Sequence, residues 1–507
     1  MSGSDKPQVV IIGAGFGGIG MAVRLLQAGH DNLVILEKSG GVGGTWRDNT
    51  YPGAACDVPA ILYSFSFHPG RWRQRYAGQA DILAYLADVV QTFNLEPYLR
   101  FNCEVTALDF DKQRDSWRVS LPGGETLEAA LVVSSVGQLN RPVVPKLPGL
   151  DTFAGAAWHS ARWDGSVDLT GKRVGVVGTG ASAIQFVPEV AKQAAHVTVF
   201  QRSAPYVIPK PDRAYSNRYL RLLDRIPLLQ RGSRLGQYVR HESRALGFIT
   251  APRLMNVMRK QWQTFLEQEI PDPELRRTLT PDYVMGCKRI LISNDWYAAL
   301  RRDNVAISTS HIREITPHAV VTEDGHEHAC DALVFGTGFR TLDFLQPMRV
   351  TGRAGQTLHD AWQEGAQAYL GTTVAGFPNL FLLYGPNTNL GHNSIIYMLE
   401  SQYEYVLDAL ATLEQERLAW IDVRDDAQDR WNDQLHERSS STVFETGCDS
   451  WYTTETGRNT NNWPGYTFDF RRRTRRLDLS DYEVMPRAPQ RELAGGADDG
   501  ARPLVGA

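Results

Sequence analysis

Apolar and polar positions change their period several times along the chain, and each change marks the boundary of a predicted element. Residues 9–29 read VVIIGAGFGGIGMAVRLLQAG: an apolar strand, a glycine-rich turn, and a helix with Ile19, Val23 and Leu26 on one face. The apolar segment NLVILEK follows as a second strand. The chain is therefore predicted to begin with a strand–helix–strand unit.

The same pattern recurs at residues 172–203, as KRVGVVG, TGASAIQFVPEVAKQAA and HVTVFQRS. The two units lie too far apart for a solenoid repeat, whose period is about 20–50 residues. Two separate nucleotide-binding folds are the better interpretation. They predict an α/β fold class with two Rossmann-like dinucleotide-binding domains.

The rest of the chain predicts further regions. Residues 98–137 contain strand-like segments with a GG hairpin, and residues 213–279 are rich in Arg and Leu at a helical period, which indicates an inserted helical subdomain. Strand character then returns, so the C-terminal third is expected to complete the first domain. The predicted boundaries are 1–147 and 339–485 for the first domain including a substrate-pocket or lid region, 148–204 and 282–338 for the second, 205–281 for the insert, and 486–507 for a disordered tail.

Length, charge and cysteine content narrow the class of protein. A chain of 507 residues exceeds the roughly 250–300 residues of one core, so several domains are expected. Its 53 basic and 57 acidic residues give a net charge of −4, which argues against nucleic acid as the main partner. No apolar run reaches the roughly 18 residues of a membrane span and no signal peptide is evident, so a cytoplasmic protein without a membrane partner is predicted. Five cysteines without a CxxC pair indicate neither a disulfide framework nor a zinc site.

The first glycine turn has the spacing of a dinucleotide site. It carries Gly13-x-Gly15-x-x-Gly18, and Glu37 ends the next strand, 19 residues after Gly18. Gly13 allows a tight turn, Gly15 lets the backbone approach a pyrophosphate, and Gly18 lets the helix pack on the strand. Glu37 is expected to accept hydrogen bonds from an unphosphorylated ribose, which indicates FAD or NAD.

The second turn carries Gly178-x-Gly180-x-x-Ala183, and Arg202 stands 19 residues after Ala183. A guanidinium at this position suits a 2′-phosphate, which an acid would repel, so the second unit indicates NADP. The alternative is that Arg202 is an exposed cation at the end of a strand. Two dinucleotide sites on one chain imply electron transfer between them, and NADPH reducing FAD is the expected pairing.

Two longer motifs resemble the fingerprints of a known family. They are GGTWRDNTYPGAACD at residues 43–57 and FAGAAWHSARWD at residues 153–164. Every fixed position is similar to the two fingerprints of type I Baeyer-Villiger monooxygenases, a class of single-component FAD enzymes. The resemblance extends from about Val9 to Pro386 and weakens in the helical insert. It implies an FAD domain, an NADP domain and a helical insert.

The resemblance also implies catalytic and phosphate-binding residues. The segment GCKRIL at residues 286–291 is similar to the stretch that carries the family's catalytic arginine, which would make Arg289 the cation over the flavin. Asp57 would orient Arg289 and balance its charge. Lys288, Arg202 and Ser203 would hold the 2′-phosphate of NADPH.

Further implied roles lie elsewhere in the chain. Tyr63 and the backbone of Val105 would contact FAD, and His159 with Trp163 would act as a hinge between the domains. Residues 385–400 form a glycine-flanked loop that enters a helix, whose N-terminus is expected near the flavin. The residues predicted to bind cofactors are Gly13, Gly15, Phe16, Gly17, Gly18, Glu37, Lys38, Gly43, Gly44, Thr45, Trp46, Cys56, Asp57, Tyr63, Val105, Gly178, Thr179, Gly180, Ala181, Ser182, Ala183, Arg202, Ser203 and Lys288, and no metal ligand is predicted.

The activity that the resemblance implies is the NADPH- and O2-dependent conversion of ketones to esters or lactones through a C4a-peroxyflavin. Two other classes stay open. One is an N- or S-oxygenating flavin monooxygenase, against which Trp163-Asp164 argues; the other is a non-oxygenating NADPH-oxidase-type flavoprotein. The sequence leaves the identity of the ketone open and predicts a monomer or a weak homodimer.

Overall fold

The strands of the first predicted unit lie in a five-stranded parallel sheet. The computed structural model describes residues 8–445, 452–454 and 457–488. Val9–Ile12 and Leu131–Ser134 are buried along their whole length, as expected for strands covered on both faces. The strand order is Leu380–Leu382, Leu131–Ser134, Val9–Ile12, Leu33–Leu36 and Leu99–Arg100.

A second five-stranded sheet, also parallel throughout, follows the same plan. Its central strand Arg173–Val177 leads into the second glycine turn, as Val9–Ile12 leads into the first. The predicted α/β class with two Rossmann-like sheets is therefore confirmed. The strand order is Val305–Ser308, His196–Phe200, Arg173–Val177, Ala332–Phe335 and Ala156–His159.

Helices cover the faces of both sheets. Apolar positions at helical spacing bury the helix after each glycine turn, and the Tyr403 hydroxyl donates a 3.0 Å hydrogen bond to the carbonyl oxygen of Phe16. That bond joins a C-terminal helix to the first helix of the chain. The helices are Phe16–Gln27, Gln79–Thr92 and Ile395–Gln415 beside the first sheet, and Ala183–Val190 and Trp296–Leu300 beside the second.

Smaller sheets and helices complete the two domains. Strands Ser116–Ser120 and Thr126–Ala129 flank the predicted GG turn as an antiparallel pair. The other strands are Ala107–Asp111 and Arg349–Thr351 beside that pair, the meander Ile312–Thr316, Ala319–Thr322 and Glu327–Ala329, and the pair Leu418–Val423 with Tyr482–Pro486; the other α-helices are Thr45–Asp48, Leu358–Ala361, Asp425–Ser440 and Thr467–Arg473.

The predicted helical insert is present between the strands of the second sheet. The guanidinium of Arg234 in its second helix donates hydrogen bonds to the carbonyl oxygens of Ile61 at 2.6 Å and Ser64 at 2.9 Å. These bonds attach the insert to the first domain. Its helices are Asn217–Arg225, Pro227–Glu242, Met255–Glu269 and Pro273–Thr278, with a π-helical turn at Leu246–Thr250.

Two predicted boundaries need correction. The insert is predicted to begin at residue 205, but Val207–Ile208 is a strand that pairs with Leu291–Ile292. The tail predicted from residue 486 begins too early, because Tyr482–Pro486 pairs with Leu418–Val423. Residues 489–507 of that predicted tail lie outside the described residues.

The cysteines give a third correction. Cys56, Cys103 and Cys330 are free, but Cys287 is disulfide-bonded, although the cysteine pattern indicated no disulfides. Within the described ranges, no group of three or more His, Cys, Asp and Glu side chains is arranged to hold a metal. No helix of that part of the chain is long and apolar enough to cross a membrane.

Candidate cofactor and catalytic site

A cavity of about 1190 Å³ lies between the two glycine turns. Residues that follow the carboxyl ends of strands from both parallel sheets line it, including Gly13, Ser135, Gly178 and Gly336. Ligands of open α/β sheets bind at this edge, where helix N-termini and free backbone amides face outward. The fold therefore places both predicted dinucleotide turns on one cavity.

The first turn is held in a conformation that favours glycine. Gly13 has φ +103°, its amide donates to the carbonyl oxygen of Leu36 at 2.8 Å, and a Cβ there would lie 2.6 Å from the carbonyl oxygen of Ser135. A Cβ at Gly18 would lie 1.9 Å from the carbonyl oxygen of Gly13. At Gly15, by contrast, the nearest atom would be the Cα of Gly44 at 3.8 Å. Gly13 and Gly18 are therefore required by close backbone contacts within the turn, whereas Gly15 leaves open space beside the turn.

The second turn repeats this geometry. Gly178 has φ +105°, its amide donates to the carbonyl oxygen of Phe200 at 3.0 Å, and a Cβ there would lie 2.6 Å from the carbonyl oxygen of Gly336. At Gly180 the nearest atom to an added Cβ would be the same Gly336 oxygen, at 3.8 Å. The two turns are structural equivalents.

Glu37 has a structural role in addition to its predicted one. One carboxylate oxygen accepts a hydrogen bond from the Ala14 amide and the other accepts one from the Ser39 amide, both at 2.8 Å. The side chain is buried and also lines the cavity. Glu37 therefore stabilises the glycine turn, and a hydrogen bond to a ribose stays a prediction.

The segment 43–57 connects the two domains. The Gly43 amide donates to the carbonyl oxygen of Ala14 at 2.9 Å, on the first turn. On the other side, the Gln185 side chain from the second domain donates to the carbonyl oxygen of Ala55 at 3.0 Å and accepts from the Tyr51 hydroxyl at 3.1 Å. A Cβ at Gly53 would lie 2.6 Å from the Gln185 carbonyl oxygen, which explains a glycine there.

Asp57 and Arg289 form an ion pair on the cavity lining. The Arg289 Nε and Nη2 atoms donate to the same Asp57 oxygen at 2.9 and 2.6 Å. The Arg289 side chain is 34% exposed and the Asp57 side chain is 26% exposed, so the pair is accessible but partly desolvated. The Asp57 carboxylate raises the pKa of Arg289 above its usual range, against the opposing effect of burial. The site therefore holds a fixed cation at any physiological pH.

The predicted phosphate-binding residues gather at the edge of the same cavity. Arg202 is exposed there, and the Thr179 hydroxyl donates to the carbonyl oxygen of Ser203 at 3.0 Å. The Lys288 ammonium lies 4.5 Å from the centre of the Tyr283 ring. The cations at 202 and 288 thus lie on the cavity whose other side carries the first turn.

Comparison with known proteins identifies the family. Residues 10–223 match the pyridine nucleotide-disulphide oxidoreductase family. The chain is 46% identical over 480 residues to a Baeyer-Villiger monooxygenase of Pseudomonas aeruginosa, a match that covers 94% of this chain and 91% of that protein. It is 45% identical to a Baeyer-Villiger monooxygenase of Streptomyces coelicolor, with 99% and 98% covered. This chain belongs to the Baeyer-Villiger monooxygenases.

Solved structures of monooxygenases share the fold. A cyclohexanone monooxygenase from Rhodococcus sp. Phi1 bound to NADP+ superposes with a TM-score of 0.84 at 30% identity, covering 95% of this chain and 99% of that one. The family that the two fingerprints indicated is therefore confirmed.

Most of the residues predicted for this Baeyer-Villiger monooxygenase lie on the cavity lining. The exceptions are Gly18, Ala183, His159 and Trp163. The first two occupy the third position of each glycine motif, where the helix packs against the turn. His159 is buried and its Nδ1 accepts a 3.0 Å hydrogen bond from the Ala161 amide, while Trp163 packs against other aromatic rings.

The cavity also contains residues that the sequence did not single out. The Tyr384 hydroxyl donates to the Asn389 side-chain oxygen at 2.7 Å, and Asn389 in turn donates to Asn462 at 2.8 Å. Burial raises the pKa of Tyr384, and the nearby Arg289 cation opposes that rise. Most of the lining residues that were not predicted come directly after a parallel strand, and that position could have indicated that they line the cavity. Lining segments that were not predicted include 135–141, 309–312, 344–348 and 383–384, whereas Asn389, Leu390 and Asn393 lie in the loop 385–400 that was expected near the flavin.

Proposed function

We propose that this Baeyer-Villiger monooxygenase converts ketones to esters or lactones, with FAD and NADPH as cofactors and O2 as the second substrate. Overall, ketone, O2, NADPH and one proton give ester, NADP+ and water. The observation that carries the proposal is the Arg289–Asp57 ion pair, which lies between two dinucleotide turns in one cavity.

The shape of the cavity supports both cofactors. Gly15 and Gly180 each leave open space where a side chain would otherwise stand, as a pyrophosphate at a helix N-terminus requires. FAD is assigned to the first turn with Glu37, segment 43–57, Tyr63 and Val105. NADPH is assigned to the second turn with Arg202, Ser203 and Lys288 at its 2′-phosphate.

Arg289 is the residue assigned to the reaction itself. Bound FAD, once reduced by NADPH, supplies the electrons that activate O2. Oxygen transfer to a ketone places negative charge on the carbonyl oxygen, and the Arg289 guanidinium is the cation available to stabilise it. Because Asp57 holds that guanidinium at two atoms, the cation is oriented before the substrate binds, and a preorganised charge stabilises a transition state more than a mobile one.

Product analysis tests the proposed function. Purified protein should convert at least one member of a panel of aromatic, linear and cyclic ketones to its ester or lactone, with matching consumption of NADPH. Oxides of amines or sulfides without any ester would indicate the N- or S-oxygenating class. NADPH consumption that ends only in H2O2 would indicate an oxidase, and either result contradicts the proposal.

The role of Arg202 gives a separate prediction. Replacing Arg202 with alanine should raise the KM for NADPH about 10- to 100-fold, because a charge-assisted hydrogen bond to phosphate contributes about 1.5–3 kcal/mol. The KM for NADH should change little, since NADH has no 2′-phosphate. The matched control is Arg302→Ala, which removes an exposed arginine that does not line the cavity. Equal losses with both cofactors would contradict the assignment.

We further propose a cytoplasmic enzyme that works as a monomer or weak homodimer, with His159 and Trp163 at the hinge between the domains. The hinge assignment is supported by the contact of the His159 ring with Phe339, whose ring centre lies 5.5 Å away. Phe339 lies on the segment where the chain leaves the second sheet. Burial lowers the pKa of His159, which keeps the ring neutral at neutral pH and suits a structural rather than a proton-transfer role.

A further inference from the structure

A buried carboxylate connects the helical insert to the cavity. Glu242 ends the helix Pro227–Glu242 and is 7% exposed. Its Oε1 accepts a 2.6 Å hydrogen bond from the Thr467 amide, and its Oε2 accepts from the Thr467 hydroxyl at 2.8 Å and from the Asn393 Nδ2 at 2.6 Å. Three chain segments that are distant in sequence therefore meet at one side chain.

Asn393 is the member of this group that reaches the cavity. Its side-chain oxygen accepts a 2.8 Å hydrogen bond from the Ser394 amide, while its nitrogen donates to Glu242. Ser394 caps the helix Ile395–Gln415 and its hydroxyl donates to the carbonyl oxygen of Leu62 at 2.9 Å. Because both ends of the Asn393 amide are bonded, its orientation on the cavity lining is fixed, and Glu242 supplies one of the two bonds.

Apolar packing supports the same contact. A Cβ built on Gly391 would lie 3.6 Å from the Phe248 ring of the insert, and one built on Gly286 would lie 3.0 Å from Met255 and 3.4 Å from Phe248. Gly286 is the first residue of the segment 286–291, which carries Arg289. The insert thus packs against the loop of Asn393 and against the segment of the catalytic arginine.

The charge of Glu242 is balanced by hydrogen bonds. His392 is the nearest basic side chain, with Nε2 3.7 Å from the carboxylate, but burial lowers its pKa to about 3, so it is neutral at neutral pH. Loss of the carboxylate would leave the Thr467 and Asn393 donors unsatisfied in a buried site, a change that moves the side chains it previously held.

We propose that Glu242 is a positioning residue for oxygen transfer: it fixes Asn393 on the cavity lining, so that the ketone is held in register with Arg289 and O2 gives ester and water instead of being released as H2O2. This inference rests on the proposed ketone oxygenation. It assigns a catalytic consequence to a residue of the insert that does not itself line the cavity.

The experiment compares coupling in wild type, Glu242→Ala and Glu242→Gln, with Tyr238→Phe as the matched control. Tyr238 lies on the same helix and its hydroxyl contacts the Thr467 hydroxyl at 3.0 Å without contacting Asn393. In Glu242→Ala, NADPH-driven flavin reduction should stay within about twofold of wild type, ester per NADPH should fall about tenfold with H2O2 making up the difference, and the KM for ketone should rise. Tyr238→Phe should keep wild-type coupling.

Glu242→Gln preserves the volume and separates positioning from folding. Its single amide oxygen can accept from the Thr467 amide or from Asn393 but not from both, so the Asn393 contact is weakened and coupling should fall, by less than in Glu242→Ala, even where flavin content and melting temperature match wild type. Adding Glu242→Gln to Asn393→Ala should then cause no further loss, because the bond is already absent. Wild-type coupling in both Glu242 variants when they are folded, or additive losses in the double variant, would overturn the inference. Absence of ester from wild type would instead overturn the proposed function.

Discussion

Replacing Arg289 with alanine is expected to abolish ester formation while NADPH still reduces the flavin. The proposed function assigns the two half-reactions to different residues: hydride transfer to the two dinucleotide turns, and oxygen transfer to the cation that Asp57 orients through bonds of 2.6 and 2.9 Å. Removing one preorganised donor to an oxyanion typically costs about 10²- to 10³-fold in rate. Loss of a full charge should cost at least that much.

The measurement is a pair of assays on one preparation, anaerobic flavin reduction by NADPH and ester yield in air. Arg277→Ala is the matched control, since Arg277 is an exposed arginine paired with Glu274 at 2.6 Å outside the cavity. Arg289→Lys should recover little, because an ammonium cannot make the two bonds that the guanidinium makes to Asp57. Ester formation within tenfold of wild type in Arg289→Ala would remove Arg289 from the mechanism.

Gly15→Ala and Gly18→Ala should both prevent the retention of flavin, but for different reasons. At position 18 the new methyl group would lie 1.9 Å from the Gly13 carbonyl oxygen, so backbone atoms must shift and the domain should lose at least about 1–3 kcal/mol of stability. At position 15 the backbone has φ −85° and the nearest atom lies at 3.8 Å, so alanine fits the apoprotein. The methyl group instead fills the space assigned to the pyrophosphate.

Flavin content and the melting temperature of the apoprotein distinguish the two cases. Gly15→Ala should match the wild-type apoprotein in melting temperature and fail to retain FAD, whereas Gly18→Ala should melt earlier or not accumulate. Gly232→Ala is the control for the substitution itself, because that helical glycine has no atom within 4 Å of an added Cβ. Normal flavin content in Gly15→Ala would show that the pyrophosphate of FAD does not lie against this glycine.

Local patterns were sufficient to predict the two glycine turns and the sheets around them. In each unit the strand, the turn and the helix lie within about 30 residues, and the glycines of the motif indicate which positions approach another backbone closely. The insert boundary was less accurate, because Val207–Ile208 is too short to show a strand period and depends on a partner more than 80 residues away.

The cavity residues were predicted less completely than the glycine turns, because many of them are brought together only by contacts between segments that are distant in sequence. Arg289 is one cation beside an apolar run, and only the resemblance to a family distinguished it from a solvated strand end. Tyr384 gave no local signal, since its position near Arg289 depends on the pairing of Leu380–Leu382 with Leu131–Ser134. Glu242 is a carboxylate on an otherwise basic helix, and nothing in its neighbourhood along the chain indicates that it is buried.

The order of strands in the first sheet also constrains how the protein is made. Val9–Ile12 and Leu131–Ser134 leave the ribosome early, but the edge strand Leu380–Leu382 and the helix Ile395–Gln415 that packs on the first helix come much later. All five strands of the second sheet lie between residues 156 and 335. During synthesis the second domain can therefore complete its sheet first. Until Leu380–Leu382 is made, the buried strand Leu131–Ser134 of the first domain lacks its partner on that edge.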